Sequence, residues 1–460
     1  MNSNDTIAAV STPLGEGGIG IIRISGDDAL KIADKMFFEA SGKKADSFQS
    51  HSVYYGSIVD TEINDAIDEV LLTVMKSPRS YTTEDVLEIN CHGGDVNLKR
   101  ILELCIRRGA RLAEPGEFTK RAFLNGRIDL TQAEAVLDII SSKTEKARKT
   151  AFSQLKGAFS SEIRKIRKDM IEVISLVELG IDFSDEDVSF ESKEGTVSKI
   201  KNIFLDMNRI LDTSDSGIIV REGASVVICG RPNVGKSSLM NALLRDDRVI
   251  VTSLAGTTRD IIEEYINISG VKVRLSDTAG IIDTKDRVEI EGIKRSREKL
   301  LTSDIVIFVL DASAALSERD KSIFETIKDK KTVIVLNKAD LPLKADIKKA
   351  HQCFGKDIIK VSALKKTGLD KLESAITFEL FNGMIASTEG AVITNVRHKD
   401  LLKNASICVE RTLKTAENDL KGELLASDLN EAVYHLGLIT GESIGDDVLD
   451  RIFSKFCIGK

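Results

Sequence analysis

A chain of 460 residues with 42% hydrophobic and 30% charged side chains is too long for one core, and its length suggests about three globular domains. A net charge of −7 excludes a global positive field that would draw the protein to nucleic acid, so any RNA contact must come from a local patch or through a partner. Tryptophan is absent and aromatics are 5%, which gives little support for a base-stacking surface.

The first residues have no basic region followed by an apolar core, and no apolar run approaches the spanning length of about 20 residues. A cytoplasmic protein with no membrane segment is expected. Six cysteines without any C-x-x-C pair argue against a zinc site and a disulfide framework. Cys105, Cys229, Cys353 and Cys408 lie in apolar or helical surroundings and read as small buried hydrophobes.

In chain order, residues 1–118 mix β-rich runs (6–10, 20–24, 53–59, 70–75, 86–90) with helical patterns over 27–38 and 96–108, which suggests a compact α+β domain. The Gly15, Glu16, Gly17, Gly18 loop lacks the Lys-Ser/Thr of a phosphate loop and reads as a turn. From residue 119 the texture becomes helical. Stripes such as Ala133, Val136, Leu137, Ile140 and Ile163, Ile166, Met170, Ile174 mark a helical block over 119–216, and the acidic residues 182–187 read as a solvated loop within it.

Residues 217–382 alternate strand and helix, with strands expected at 225–229, 271–276, 305–310, 332–336 and 358–361. This is the signature of a parallel sheet with crossovers. Residues 383–460 are helical again and are expected to pack on the first helical block, making the α/β domain an insertion.

The inserted segment carries the chemistry. After the apolar run 225–229, residues 230–238 read G-R-P-N-V-G-K-S-S and open a helix, as a phosphate loop requires. Lys236 would reach the β and γ phosphates, and Ser237 would hold Mg²⁺. Asp277, Thr278, Ala279 and Gly280 follow a strand and supply an Asp for a metal-bound water and an amide for the γ phosphate. Asn337, Lys338, Ala339 and Asp340 end the next-but-one strand. A carboxylate there accepts from guanine N1–H and its exocyclic amine, donors that adenine does not present, so the nucleotide is GTP. Ser362, Ala363 and Leu364 would hold the guanine O6 through a backbone amide.

Between the phosphate loop and Asp277, residues 255–260 (A-G-T-T-R-D) sit where a switch threonine would complete the Mg²⁺ shell. Ile281 stands where a Ras-type enzyme has its water-positioning Gln. Another residue must then orient the water, and Asp283, Asp286, Glu289 and Glu291 are the acidic candidates.

The whole chain resembles the MnmE (TrmE) family of tRNA-modifying GTPases. The resemblance runs from residues 17–26 (G-G-I-G-I-I-R-I-S-G) through S-Y-T-T-E-D at 80–85, H-G-G at 92–94, P-G-E-F at 115–118, R-A-F-L-N at 121–125 and the GTPase motifs to the terminal C-I-G-K at 457–460. It implies a multidomain fold: an α+β N-terminal folate-binding domain, a discontinuous helical domain and an inserted Ras-like P-loop α/β domain.

It also implies a homodimer, a partner FAD flavoprotein of the MnmG type, and tRNA as substrate, modified at C5 of the wobble uridine. The one-carbon unit would come from 5-formyl- or 5,10-methylene-tetrahydrofolate. By the same matching, Asn233, Thr252, Leu254 and Thr257 would ligate K⁺, Ser237 and Thr258 would hold Mg²⁺, and Glu289 would orient the water. Val234, Gly235, Ser238, Ser253, Ala255 and Gly256 complete the nucleotide set. Arg23, Glu88, Arg127 and Lys460 would bind folate, with Arg127 standing where the family commonly has Lys, and Cys457 would be a reactive thiol.

Two other classes compete with this reading. A regulatory or ribosome-assembly GTPase would not need the Arg23, Glu88, Lys460 set, and a lone folate-dependent one-carbon transferase would not need the inserted GTPase motifs.

Overall fold

The computed structural model describes residues 5–182, 193–246, 265–277, 300, 302–383, 390–417 and 422–460. The chain forms two compact units: Met1–Leu137 with Gly437–Lys460, and Asp138–Leu436.

The first unit is built on a seven-stranded sheet of β1 (Ile7–Val10), β2 (Ile19–Ser25), β3 (Phe37–Glu39), β4 (Ser52–Asp60), β5 (Asp65–Met75), β6 (Val86–His92) and β7 (Arg111–Leu112). The strand order is β3-β4-β5-β6-β2-β1-β7, antiparallel except where β7 pairs with β1. Period-two alternation decides which side chains enter the core. Ile22 and Ile24 of β2 and Leu87, Ile89 and Cys91 of β6 are buried in one cluster with Leu98, Ile101 and Leu104 of the helix Asp95–Arg107. The intervening Arg23 and Glu88 therefore point to the other face, directly opposite each other in the β2–β6 register.

The helical pattern over residues 27–38 is cut short. The helix is Ala29–Asp34, and Phe37 begins β3, paired with Ile58 of β4. Strand pairing satisfies the backbone while Phe37 packs edge-on against Phe48, so tertiary burial overrides the local helical spacing.

The second unit holds a six-stranded sheet of β8 (Ala224–Cys229), β9 (Tyr265–Ile268), β10 (Val271–Asp277), β11 (Ile305–Asp311), β12 (Thr332–Asn337) and β13 (Ile358–Lys360), ordered β13-β12-β11-β8-β10-β9. The five strands expected from sequence are parallel. The sixth, β9, was missed; it pairs antiparallel with β10 through a turn in which Ser269 and Gly270 have φ of 50° and 83°. Central strands are buried on both faces: Val226 and Ile228 enter one core, Val227 and Cys229 the other.

In the same unit, Ile163, Ile166, Met170 and Ile174 of the helix Ala158–Asp182 are buried, as their spacing requires. The helix Val396–Glu417 packs on Lys193–Leu211, as expected for a discontinuous helical block. The last helix, Asp446–Phe453, packs on Glu117–Leu124 at the start of that block, with Phe453 and Phe456 buried beside Leu130 and Ala133 in the first unit. Cys105, Cys229 and Cys408 are buried, but Cys353 is exposed because its position on Ile347–Phe354 lies off the apolar stripe of Ala350 and Phe354. Among the described residues no helix is long and apolar enough to cross a membrane.

Candidate functional site

The phosphate loop leaves the buried end of β8 and enters the helix Lys236–Asp246. Its two glycines are fixed by space. Gly230 has φ of 147° and a Cβ there would lie 2.4 Å from the Val309 carbonyl oxygen, while at Gly235 it would lie 2.3 Å from Asn337 Nδ2. No side chain fits either place, so the loop backbone is able to approach an anion closely. Lys236 Nζ donates to the carbonyls of Gly230 and Arg231 at 3.1 and 3.0 Å. Arg231 in turn bonds the fully buried Asp320 at 2.7 Å, anchoring the outer part of the loop to the helix Glu318–Ile327.

Asn233, with φ of 64°, is exposed. No hydrogen bond of its side chain occurs among the described residues. Val234 is buried beneath the loop.

The base-side motifs converge on the same end of the sheet, where β12 and β13 stop. Asn337, 2% exposed, is the brace between them. Its Nδ2 donates to the Val234 carbonyl at 2.9 Å, and its Oδ1 accepts from Ala363 N–H at 3.1 Å, so one carboxamide ties the phosphate loop to the loop after β13. Lys338, at φ of 63°, pairs with Asp311 at 2.6 Å. Ala339 N–H donates to Val361. Asp340 accepts a 2.5 Å bond from the Ser362 hydroxyl, leaving the rest of its carboxylate for a base. Ala363 is buried, and Leu364 is exposed at the mouth.

The Ser362 hydroxyl and the local backbone hold the Asp340 carboxyl below the usual carboxylate range. A depressed pKa means the charged acceptor is present above that value and is lost only as pH falls through it. Guanine-nucleotide affinity, followed with a fluorescent GDP, is therefore expected to stay flat from neutral pH down to about pH 5, above the ordinary Asp value of about 3.9. A decline centred nearer neutrality would contradict this assignment.

Asp277 closes β10 beside Ile228 of β8. Thr252, Ser253, Leu254, Ala255, Gly256, Thr257, Thr258, Thr278, Ala279, Gly280, Ile281, Asp283, Asp286, Glu289 and Glu291 lie outside the described residues, as do residues 183–187 of the acidic stretch, whose Asp182 ends the helix Ala158–Asp182, and the side chain of Asp277.

In the first unit, Arg23 donates twice to Glu88 Oε1, at 2.9 and 2.7 Å, and once to the Gly459 carbonyl at 3.2 Å. The guanidinium also lies 5.6 Å from the Tyr81 ring centroid and 5.5 Å from that of Phe118. The carboxy-terminal tail is laid along β1: Gly459, with φ of 91°, packs so closely that a Cβ would meet the Val10 carbonyl oxygen at 2.3 Å. Ser11 Oγ also donates to the Gly459 carbonyl.

This brings Lys460 to Arg23 and Glu88 across the length of the sequence. Burial, followed by the Arg23 charge, pushes the Lys460 ammonium below its ordinary value. Arg127 is exposed; it donates to the Tyr81 carbonyl at 3.0 Å and lies 4.8 Å from the Tyr81 ring centroid. Cys457 is exposed, and its carbonyl accepts from Gly116 N–H at 3.4 Å.

Sequence reasoning missed Tyr81 and Phe118, the aromatic flanks of Arg23, although both lie inside motifs quoted for the resemblance. It also missed Asp320, for which the only local signal is the capping box with Ser317.

A glycine-bracketed loop between strand and helix, joined by Asn337 to an Asp-bearing base loop at the carboxyl ends of parallel strands, defines a P-loop GTPase within a larger multidomain chain. Residues 6–127 match the family model for the GTP-binding protein TrmE N-terminus, and residues 130–457 match that for the MnmE helical domain. The tRNA modification GTPase MnmE of Alkaliphilus oremlandii is 46% identical over 461 residues, covering 100% of both chains. Its counterparts from Clostridioides difficile (46% identical, 100% of both chains) and Thermoanaerobacter pseudethanolicus (48% identical, 99% of each chain) agree. The chain belongs to the tRNA modification GTPase MnmE family.

Proposed function

We propose that this GTPase acts on tRNA together with an MnmG-type FAD flavoprotein, placing an aminomethyl or carboxymethylaminomethyl group at C5 of the wobble uridine, with the carbon drawn from a 5-formyl- or 5,10-methylene-tetrahydrofolate. The observation that carries this reading is the presence in one chain of both the braced nucleotide loop and the Arg23, Glu88, Lys460 set, which a GTPase switch alone does not need. Mass spectrometry of tRNA from a deletion strain tests it: wobble uridines are expected to lose the modification, and full modification would refute the assignment.

On this reading the chain divides into a folate-binding and dimerisation domain (1–118), a helical domain (119–216 and 383–460) and the inserted GTPase domain (217–382), and works in the cytoplasm. Glu88 suits folate because a carboxylate accepts from the N–H groups of a pterin, while Arg23 and Lys460 supply positive charge. A homodimer is supported by exposed apolar residues of the first unit, Leu14, Ile19, Val96 and Ile458, and by an apolar cavity of about 490 Å³ that Leu14, Leu102, Leu112 and Ile458 help to line. Cys457, exposed beside this tail, is proposed as a reactive thiol.

In the nucleotide site, Lys236 and the loop N–H groups hold the phosphates, and Ser237 and Thr258 would hold Mg²⁺, which neutralises developing charge on the phosphate oxygens when bound. Glu289 would orient the water in place of the missing Gln. Asn233, Thr252, Leu254 and Thr257 would supply oxygens to K⁺. The exposed Asn233 carboxamide, with no hydrogen bond among the described residues, is free to do so, and hard oxygen donors suit a hard cation. Asn233→Ala is expected to bring K⁺-stimulated GTP turnover down to the rate seen in Na⁺, with GTP affinity nearly unchanged. Retention of K⁺ stimulation in that variant would remove Asn233 from the cation site.

A further inference from the structure

A second recess adjoins the Arg23 site in the first unit. The loop carrying Arg79 and Tyr81 and the turn carrying Asn125 and Arg127 help to line a cleft of about 590 Å³, with His51 at its edge. Arg79 and Arg127 supply its positive charge, and no carboxylate is among its lining residues. Neither arginine makes an ion pair among the described residues. Their charge is therefore uncancelled, and Arg127 engages only the neutral Tyr81, through its carbonyl and its ring.

The cleft is preformed. Asn125 Nδ2 donates to the Thr82 carbonyl at 2.7 Å, and the Tyr81 and Thr119 hydroxyls lie 2.9 Å apart. Two lining residues hold uncommon backbone conformations, His51 at φ of 60° and the β-branched Thr83 at φ of 66°. Positive φ at a β-branched residue is a genuine outlier, and such strain concentrates at ligand-binding places. The Tyr81 ring, close to both the Arg23 and the Arg127 guanidinium groups, links this cleft to the Arg23–Glu88 pair.

We propose that the cleft binds the anionic tail of the folate, the carboxylates of its γ-linked glutamyl chain. This rests on the folate reading given above and extends it from the pterin to the opposite end of the molecule. Two guanidinium groups without acidic partners match a ligand that gains one carboxylate with each added glutamate, and the arginine fork engages carboxylates through paired N–H bonds. Arg127 contributes in a way that a lysine could not, since its planar group lies against Tyr81 while its remaining N–H groups stay available.

The test is calorimetric titration of the full-length protein with 5-formyl-tetrahydrofolate carrying one or three glutamates. The triglutamate is expected to bind about ten-fold tighter, the effect of two partly screened ion pairs, and this preference should shrink as salt rises. Arg79→Glu, at an exposed side chain outside the Arg23 site, is expected to abolish the preference and to lower monoglutamate affinity less than triglutamate affinity, while GTP turnover stays within about two-fold of native. Equal affinity for the two ligands in the native protein, or a preference that survives Arg79→Glu, overturns the tail site and leaves the folate reading standing. A variant that keeps the preference but loses tRNA affinity identifies the cleft as an RNA contact and also overturns the proposal. Failure of both ligands to bind the native protein overturns the folate reading and the tail site together.

Discussion

Asn337→Ala is expected to weaken GTP binding by roughly 100-fold and to cost about 1–3 kcal/mol of stability, the range for leaving buried polar groups unpaired. The reason lies in what the carboxamide joins. Its Nδ2 holds the Val234 carbonyl at 2.9 Å and its Oδ1 holds the Ala363 N–H at 3.1 Å, in a place only 2% exposed to water. Truncation strands an acceptor under the phosphate loop and a donor in the base loop, and no solvent replaces either. Asn337→Asp separates the two halves of this brace: it keeps the acceptor for Ala363 but loses the donor and sets a negative charge against the carbonyls of Val234 and Gly235. It should be at least as damaging as alanine. Equilibrium titration with a fluorescent GTP analogue and thermal unfolding measure both quantities, and binding within three-fold of the native protein for either variant would show that Asn337 is not a structural link.

The second large effect is expected at Arg23. Arg23→Ala should lower affinity for 5-formyl-tetrahydrofolate by about 100-fold or more, in line with the roughly 2–5 kcal/mol lost when one member of a desolvated, hydrogen-bonded charge pair is truncated. Three bonds disappear together: two to Glu88 and one to the Gly459 carbonyl, which helps hold the terminal tail bearing Lys460. Arg23→Lys keeps the charge but not the planar fork, and should recover little. GTP turnover in the same preparation serves as the folding control and should change less than two-fold. If folate affinity persists in Arg23→Ala, the pterin end is held elsewhere and the assignment of Glu88 and Lys460 fails with it.

Both experiments turn on contacts made over long sequence separations, and this separation marks the limit of what was legible in the chain. The phosphate loop could be read because its function is local: the glycines, Lys236 and Ser237 are consecutive, and an apolar run before them with a helical run after them suffices to place them at a strand-to-helix turn. The alternation of β2 and β6 was equally readable, since side-chain direction along a strand follows from position alone. Asn337 was readable as part of a guanine motif, yet its brace to Val234 was not, because that bond spans 103 residues. The missed strand β9 is only four residues long, too short for periodicity to register. Phe37, placed in a helix by spacing, was drawn into a strand by burial against Phe48 and pairing with Ile58, forces that act only after the sheet exists.

The sequence by itself determined the order of the motifs, the guanine-type base loop, the division of texture into α+β, helical and α/β stretches, and the absence of a glutamine after Gly280. Each of these depends on residue type and near-neighbour spacing, which the backbone expresses locally. Only the tertiary structure decided that Arg23 and Glu88 are register partners, that the last residues of the chain return to β1, and that Tyr81 lies close to both Arg23 and Arg127. Those facts depend on which strands pair and where a terminus docks, and that choice is made by burial of apolar surface summed over the whole unit, a quantity no local window contains.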